Sequence, residues 1–240
     1  IGNYIYSYSA NAIWVNLFIG SNTTISLQKN QVSLAMQSGL PWKGEVKLRV
    51  SPRKRQAFAL RLRIPGWLQQ PVPGSLYRYA DNKTLQPSIT VNDEPVEYRE
   101  ENGYAIIERT WKKDDVVTVS LPMEVRRVVS HEKLKHNRDR VALQYGPLVY
   151  CVESADNGNT VNNLVVPPAT TFNVQFLPDL LGGINTIQFT APVISTGSDG
   201  IAVTTVHKQI TAIPYFIWNN RGKSDMKVWL PEKVIRLRIE

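Results

Sequence analysis

The stretch EVKLRVSPRKRQAFALRLRIPGW, residues 45–67, decides the fold class. Val46, Leu48 and Val50 alternate with Glu45, Lys47 and Arg49, and after a break Phe58, Leu60, Leu62 and Ile64 alternate with charged Arg61 and Arg63. A period of two puts successive side chains on opposite faces of an extended backbone, so each run reads as a strand with one apolar and one polar face. Between them, Ser51-Pro52 followed by Arg53-Lys54-Arg55 reads as a solvated hairpin tip, and Pro65-Gly66 stops the second run.

The same period recurs outward from this stretch. Ile13, Val15, Leu17 and Ile19 interleave with Trp14, Asn16 and Phe18; Val117, Val119 and Leu121 interleave with Thr118 and Ser120; Ile235, Leu237 and Ile239 interleave with Arg236 and Arg238. Gly, Pro, Asn and Asp punctuate the runs, and no long segment holds a 3.6-residue apolar period with caps. The pattern predicts an all-β chain of two antiparallel β-sandwich domains, and 240 residues suit two units of ordinary size. A charged passage from Arg126-Arg127 to Arg138-Asp139-Arg140 reads as the joint. It places domain I at 1–128 and domain II at 129–240, with 213–240 either completing the second sandwich or returning to the first. The segment from Pro65 to Pro87, with Pro71 and Pro73 inside it, is long for a hairpin loop and reads as functional or interfacial.

Composition removes several functional classes. A hydrophobic content of 42% with 20% charged residues suits a chain with a packed core, which excludes disorder as the main state. The net charge of +8 is spread, 17 basic against 11 acidic side chains in 1–128 and 11 against 9 in 129–240, without a broad basic face or a nucleic-acid-binding module signature. No nucleic-acid partner is expected, and no apolar run is long enough to span a membrane as a helix. One cysteine, Cys151, cannot form an internal disulfide or a CxxC pair. The opening Ile1-Gly2-Asn3-Tyr4 has no initiator Met and runs straight into strand-like sequence, which suggests the continuation of a longer polypeptide.

Candidate chemistry is thin. His131-Glu132 with His136 fails the HExxH pattern because the two imidazoles are five residues apart instead of four, and His207 is remote. Cys151 sits in an apolar strand pattern with no neighbouring His or cation to lower its pKa, so it reads as a small buried hydrophobe. Asp114-Asp115 and Glu100-Glu101 both fall at turn signals and read as turn residues, not as a catalytic pair. Asn22-Thr23-Thr24 and Asn82-Lys83-Thr84 match the N-glycosylation acceptor. No catalytic, cofactor or metal residue is assigned. Four aromatics at turns or in the Pro-rich loop, Trp42, Trp67, Tyr77 and Tyr79, are the candidates for contact with a sugar ring or a neighbouring domain.

Six phrases taken in order carry a family resemblance. They are Ile13-Trp14-Val15-Asn16-Leu17-Phe18-Ile19-Gly20, Leu40-Pro41-Trp42-Lys43-Gly44, Leu60-Arg61-Leu62-Arg63-Ile64-Pro65-Gly66-Trp67, Trp111-Lys112-Lys113-Asp114-Asp115, Arg140 to Tyr150, and Ile213 to Gly222. Together they resemble the C-terminal part of glycoside hydrolase family 127, the β-L-arabinofuranosidase family. The resemblance implies β-sandwich domains that follow an N-terminal (α/α)6 barrel absent from these residues. It also implies a zinc-held cysteine nucleophile and a glutamate acid/base upstream of Ile1, with none of them mapping onto this chain and Cys151 matching a strand cysteine. The implied role is non-catalytic support of that barrel, with a periplasmic or secreted bacterial parent enzyme. Two other roles stay open: a carbohydrate-binding module for plant cell-wall glycans of the pectic or arabinan type, and a homodimer interface. Asp114 stands where the family often has Gly, at a turn position that favours a left-handed backbone.

Overall fold

The computed structural model describes residues 1–234 except Lys29, Pro73 and 197–202. In chain order the strands are β1 Tyr6–Tyr8, β2 Ala12–Val15, β3 Ser21–Leu27, β4 Asn30–Ser38, β5 Glu45–Pro52, β6 Gln56–Arg63, β7 Tyr77–Tyr79, β8 Ser88–Val91, β9 Glu94–Pro95, β10 Arg99–Glu101, β11 Tyr104–Trp111 and β12 Asp115–Ser120. They continue as β13 Val125–Ser130, β14 Arg140–Tyr145, β15 Leu148–Glu153, β16 Asn173–Leu177, β17 Ile184–Thr196, β18 Val203–Pro214, β19 Met226–Lys227 and β20 Leu230–Pro231. Among the described residues the only α-helix is the single turn Ser154–Asn157, so the chain is all-β.

Two compact units divide the chain. The first comprises Ile1–Gln69 and Thr84–Met123, and the second comprises Gln70–Lys83 and Glu124–Glu240. The division therefore differs from the sequence expectation of 1–128 and 129–240. Residue 128 lies inside β13, and the excursion Gln70–Lys83 contributes β7 to the sheet of the second unit. Strands β19 and β20 pair with β15 and β14, so the described part of 213–240 stays in the second unit. The Ile235, Leu237 and Ile239 run lies outside the described residues.

In the first unit a five-stranded sheet, β1-β2-β6-β11-β10, and a six-stranded sheet, β3-β4-β5-β12-β8-β9, bury one shared core. All pairs are antiparallel except β2 with β6. The alternation read from sequence is the packing pattern. Val46, Leu48 and Val50 of β5 and Leu60 and Leu62 of β6 are at most 1% exposed, whereas Lys47, Arg49 and Arg63 face water. One feature departs from expectation: β5 and β6 belong to different sheets, so Arg53-Lys54-Arg55 is an exposed arch between sheets and not a hairpin tip. The Trp111 to Asp115 turn is a second such arch, from β11 to β12. Periodicity identifies the faces of a strand but carries no record of which sheet it joins.

Each arch is fixed by side-chain hydrogen bonds. Asn30 Nδ2 donates to Lys54 O at 2.7 Å, and Lys54 N donates to Asn30 Oδ1 at 3.2 Å. Asp114 takes the left-handed backbone at φ +65°, and its amide and carboxylate both bond Ser51 Oγ. Buried Asp115 receives Lys112 N at 2.8 Å and Asn92 Nδ2 at 2.9 Å. At the sheet entrance, β2 ends at Val15; Leu17 and Ile19 lie beyond it and are 37% and 42% exposed, although the apolar alternation continues through them.

The second unit is built on one continuous strand path, β16-β17-β18-β15-β14-β13-β7, with β20 beside β14 and β19 beside β15. Val141, Leu143, Tyr150, Val152, Ile187, Phe189, Ile210 and Ala212 form its main core with Val161, Leu164 and Val166. The Arg126-Arg127 pair, read as part of a linker, lies within β13. Arg126 is buried, its guanidinium bonded to the Asp81 carboxylate and to Lys83 O, and it stacks 3.4 Å from the Tyr79 ring centroid. Arg127, one residue on, bonds Glu232 at 2.9 Å and the carbonyls of Val166 and Pro167.

Two measurements test these constraints. A Cβ on Gly44 would stand 1.9 Å from Leu121 O. Gly44→Ala is therefore expected to cost about 3 kcal/mol or more in urea unfolding, because backbone must shift to admit it. Burial alone would raise the Asp81 carboxyl, but hydrogen bonds from Arg126 and Lys83 N, with their positive charge, hold it below its ordinary value. A depressed folded pKa stabilises above the unfolded value and is lost as pH falls through the folded one. The stability gap between the parent and Asp81→Asn should thus be full at neutral pH and shrink as the pH falls below the ordinary carboxylate range; a gap that grows on acidification would contradict the assignment.

Candidate functional site

The four aromatic candidates are divided between the units. Trp42 and Trp67 belong to the first, and Tyr77 and Tyr79 to the second. Trp42 sits half-buried in the tight turn Gly39–Gly44, where Leu40-Pro41 is a cis peptide and both Trp42 N and Lys43 N donate to Gly39 O. Trp67 lies in the 3-10 turn Gly66–Leu68 and packs half-buried against the first unit's core beside fully buried Leu68.

Tyr79 is not available for stacking on a sugar. It is 5% exposed, its ring is covered by the Arg126 guanidinium, and burial pushes its phenol up to about 12 against the opposing pull of Arg126. The strand parity that buries Tyr79 was invisible in a segment whose prolines suggested an open loop. Tyr77 is half-buried and stacks on Trp229, centroids 5.6 Å apart at 25°. Sequence reasoning missed Trp229, because its partner is 152 residues away and nothing local marks it.

A second polar constellation also escaped it. Glu153, fully buried at the end of β15, bonds Arg221 Nη2 at 2.7 Å and Asn219 N at 3.0 Å. Asp156 takes both Arg221 terminal nitrogens, at 2.5 and 2.6 Å. Asn157 Nδ2 bonds the carbonyls of Glu153 and Thr211, and its Oδ1 receives Thr211 N. These bonds raise the Arg221 pKa and fasten the segment after β18 to the end of β15. Two carboxylates held by one cation in this way have no free pair of faces with which to flank a glycosidic bond.

The remaining sequence candidates are structural. Asp115 caps the β11–β12 arch, and burial, which would raise its carboxyl, is outweighed by the Asn92 and Lys112 bonds and by nearby Arg109. Glu101 ends β10 and pairs with Arg99, with Arg61 at 4.0 Å. His131 is half-buried and His136 exposed. Among the described residues no group of three or more His, Cys, Asp or Glu is placed to hold a metal ion. Cys151 is 1% exposed, and burial together with Glu153 and Asp156 pushes its thiol up to about 12.

Comparison with known proteins follows the same division of the chain. Residues 12–123 match the model described as "Beta-L-arabinofuranosidase, GH127 middle domain", and residues 125–231 match "Glycoside hydrolase family 127 C-terminal domain". The chain belongs to glycoside hydrolase family 127. It carries the family's middle and C-terminal domains, and the described residues contain no (α/α)6 barrel. The junction between the two matches, 123 to 125, coincides with the end of the first unit at Met123.

Among GH127 relatives, the non-reducing end β-L-arabinofuranosidase of Bifidobacterium longum subsp. longum is 27% identical over 212 residues, which is 82% of this chain and 30% of that protein. The solved GH127 β-arabinofuranosidase BT3674 superposes with a TM-score of 0.90 at 36% identity, covering 96% of this chain and 36% of that one. The GH127 β-L-arabinofuranosidase Ara127N of Geobacillus stearothermophilus T6 gives 0.84 at 35%, covering 97% and 35%. The chain thus spans about a third of the length of the relatives it matches.

The environment of Cys151 yields a direct test. In the native chain the thiol should stay unlabelled by a disulfide reagent at about pH 8 over a time in which the denatured chain reacts to completion. Rapid native labelling would show that the site opens or that the thiolate is stabilised.

Proposed function

We propose that these two domains form the non-catalytic β portion of a β-L-arabinofuranosidase-like glycoside hydrolase and support an (α/α)6 catalytic barrel on the same polypeptide. The observation that carries this reading is the tiling of residues 12–123 and 125–231 by two GH127 domains, in a chain one third the length of its relatives. Similarity to enzymes named for arabinofuranoside hydrolysis supports the parent activity. A periplasmic or secreted bacterial location for the parent is part of the same proposal.

The zinc implied by the family does not fit the residues present. Cys151 is sealed with a raised pKa, and among the described residues the histidines form no cluster with it. We assign the zinc and the nucleophile to the barrel.

A second reading, association of two copies through the second unit, draws on Val203 and Val206, which are 60% and 52% exposed on β18. Sedimentation of the purified chain distinguishes it: a monomer at micromolar concentration removes this reading. The glycan-binding reading retains only the half-buried Tyr77–Trp229 pair and the separate Trp42 and Trp67.

The purified 240-residue chain is expected to release no arabinose from aryl β-L-arabinofuranosides and to retain no stoichiometric zinc after dialysis. Turnover that disappears on substitution of one of its own residues would overturn the assignment.

A further inference from the structure

The second unit carries a polar concavity of about 410 Å³ where the ends of β7 and β13, the approach to β14 and the segment after β20 converge. Its volume lies within the range of ligand clefts, roughly 300–1,000 Å³. No Phe, Tyr or Trp lines it; beside the His131 imidazole, its character is set by Arg78, Arg138, Arg140, Glu132, Asp139 and Glu232.

Their pairing is unequal. Asp139 is neutralised by Lys233 at 3.0 Å, and Glu232 by Arg127 at 2.9 Å, both cations lying outside the lining. Among the described residues, none of Arg78, Arg138 and Arg140 has a carboxylate within ion-pair distance, and neither does Glu132 have a cation. Three guanidiniums therefore face one free carboxylate. Arg78 and Arg140 are held in place by one N–H each, donated to Tyr79 O at 3.3 Å and to Trp229 O at 3.4 Å, which leaves the rest of each planar fork unoccupied. Ser130 and Asn137 add neutral hydrogen-bonding groups to the rim.

Like charges gathered in a concavity repel one another unless a counter-charge joins them, and a guanidinium fork matches the two oxygens of a carboxylate or phosphate. We propose that this concavity binds a small ligand bearing an oxyanion, a carboxylate or phosphate carried on a molecule of monosaccharide size. With no Phe, Tyr or Trp ring to stack on, a neutral sugar gains little here, so the charge selects the ligand. The site stands independently of the role proposed for the two domains.

The test is isothermal titration of the full 240-residue chain at low ionic strength with galacturonate, inorganic phosphate and neutral galactose. Saturable binding of at least one anion and none of galactose is expected; the tighter anion identifies a carboxylate or a phosphate source. Arg138 is exposed and, among the described residues, hydrogen-bonds only through its backbone N–H, to Lys135 O, so Arg138→Ala should leave the fold intact and weaken anion binding about tenfold. Glu132→Gln removes the free carboxylate and should tighten binding, an effect that mere disruption of the fold would not produce. The proposal is overturned if neither anion binds, if galactose binds as well as galacturonate, or if Arg138→Ala leaves anion binding unchanged.

Discussion

The guanidinium of Arg126 is the point on which the second unit depends. Strand β7 comes from an excursion, Gln70–Lys83, inside the sequence of the first unit, and its backbone pairing to β13 covers only three residues. So short a ladder is weak by itself. Arg126 supplements it with the Asp81 carboxylate, the Lys83 carbonyl and the face of Tyr79, which together tie both β7 and the turn after it to β13. Arg126 is buried and Asp81 only half-buried, so removing Asp81 leaves a buried guanidinium without its counter-charge, and the arrangement is costlier to break than it is profitable to form. Its value is specificity of position. It explains why a Pro-rich stretch that reads as a loose loop ends in an ordered edge strand.

The first unit solves a related problem by different means. Two arches carry the chain between its sheets, and an arch lacks the ladder that would stabilise a hairpin. Polar side chains supply the missing bonds: Asn30 reaches Lys54, and Ser51 reaches Asp114. Beneath them Trp111, fully buried, stacks on Phe58 at 5.7 Å and donates its indole N–H to Phe58 O at 3.0 Å. That bond satisfies the one polar atom of the largest core side chain, so the ring can anchor the start of the arch without a buried unpaired donor.

The legibility of the sequence follows from how local each cause is. Alternation is local, and it correctly marked Val46 to Val50, Phe58 to Leu62 and Val117 to Val119 as inward-facing. The left-handed position of Asp114 was implied by the family resemblance, which often has Gly there. Sheet membership depends on partners far along the chain, so the first arch read as a hairpin tip and the second only as a turn. The buried arginines were the hardest case. Arg126 and Asp81 are 45 residues apart, and Arg221 and Glu153 are 68 apart, so each side chain looks solvated until its partner is known. The family resemblance reached the domain identity because it draws on six ordered phrases, a longer-range signal than any periodicity.

The distribution of charge argues in one direction about chemistry. A glycosidase keeps two carboxyl groups free on either side of a bond, commonly about 5 to 9.5 Å apart. Among the described residues the buried carboxylates are already committed, Asp115 to an arch and Glu153 to Arg221, which half-buried Asp156 also holds. The thiol is sealed in the same neighbourhood, where two anions raise its pKa instead of lowering it. Asp115, Glu153 and Asp156 serve as tethers for cations and amides, and a tethered carboxylate cannot also act as acid, base or nucleophile without releasing the segment it holds. Among the described residues, Arg78, Arg138 and Arg140 have no carboxylate partner, and a guanidinium, protonated at all ordinary pH, can bind and orient an anion but cannot shuttle a proton.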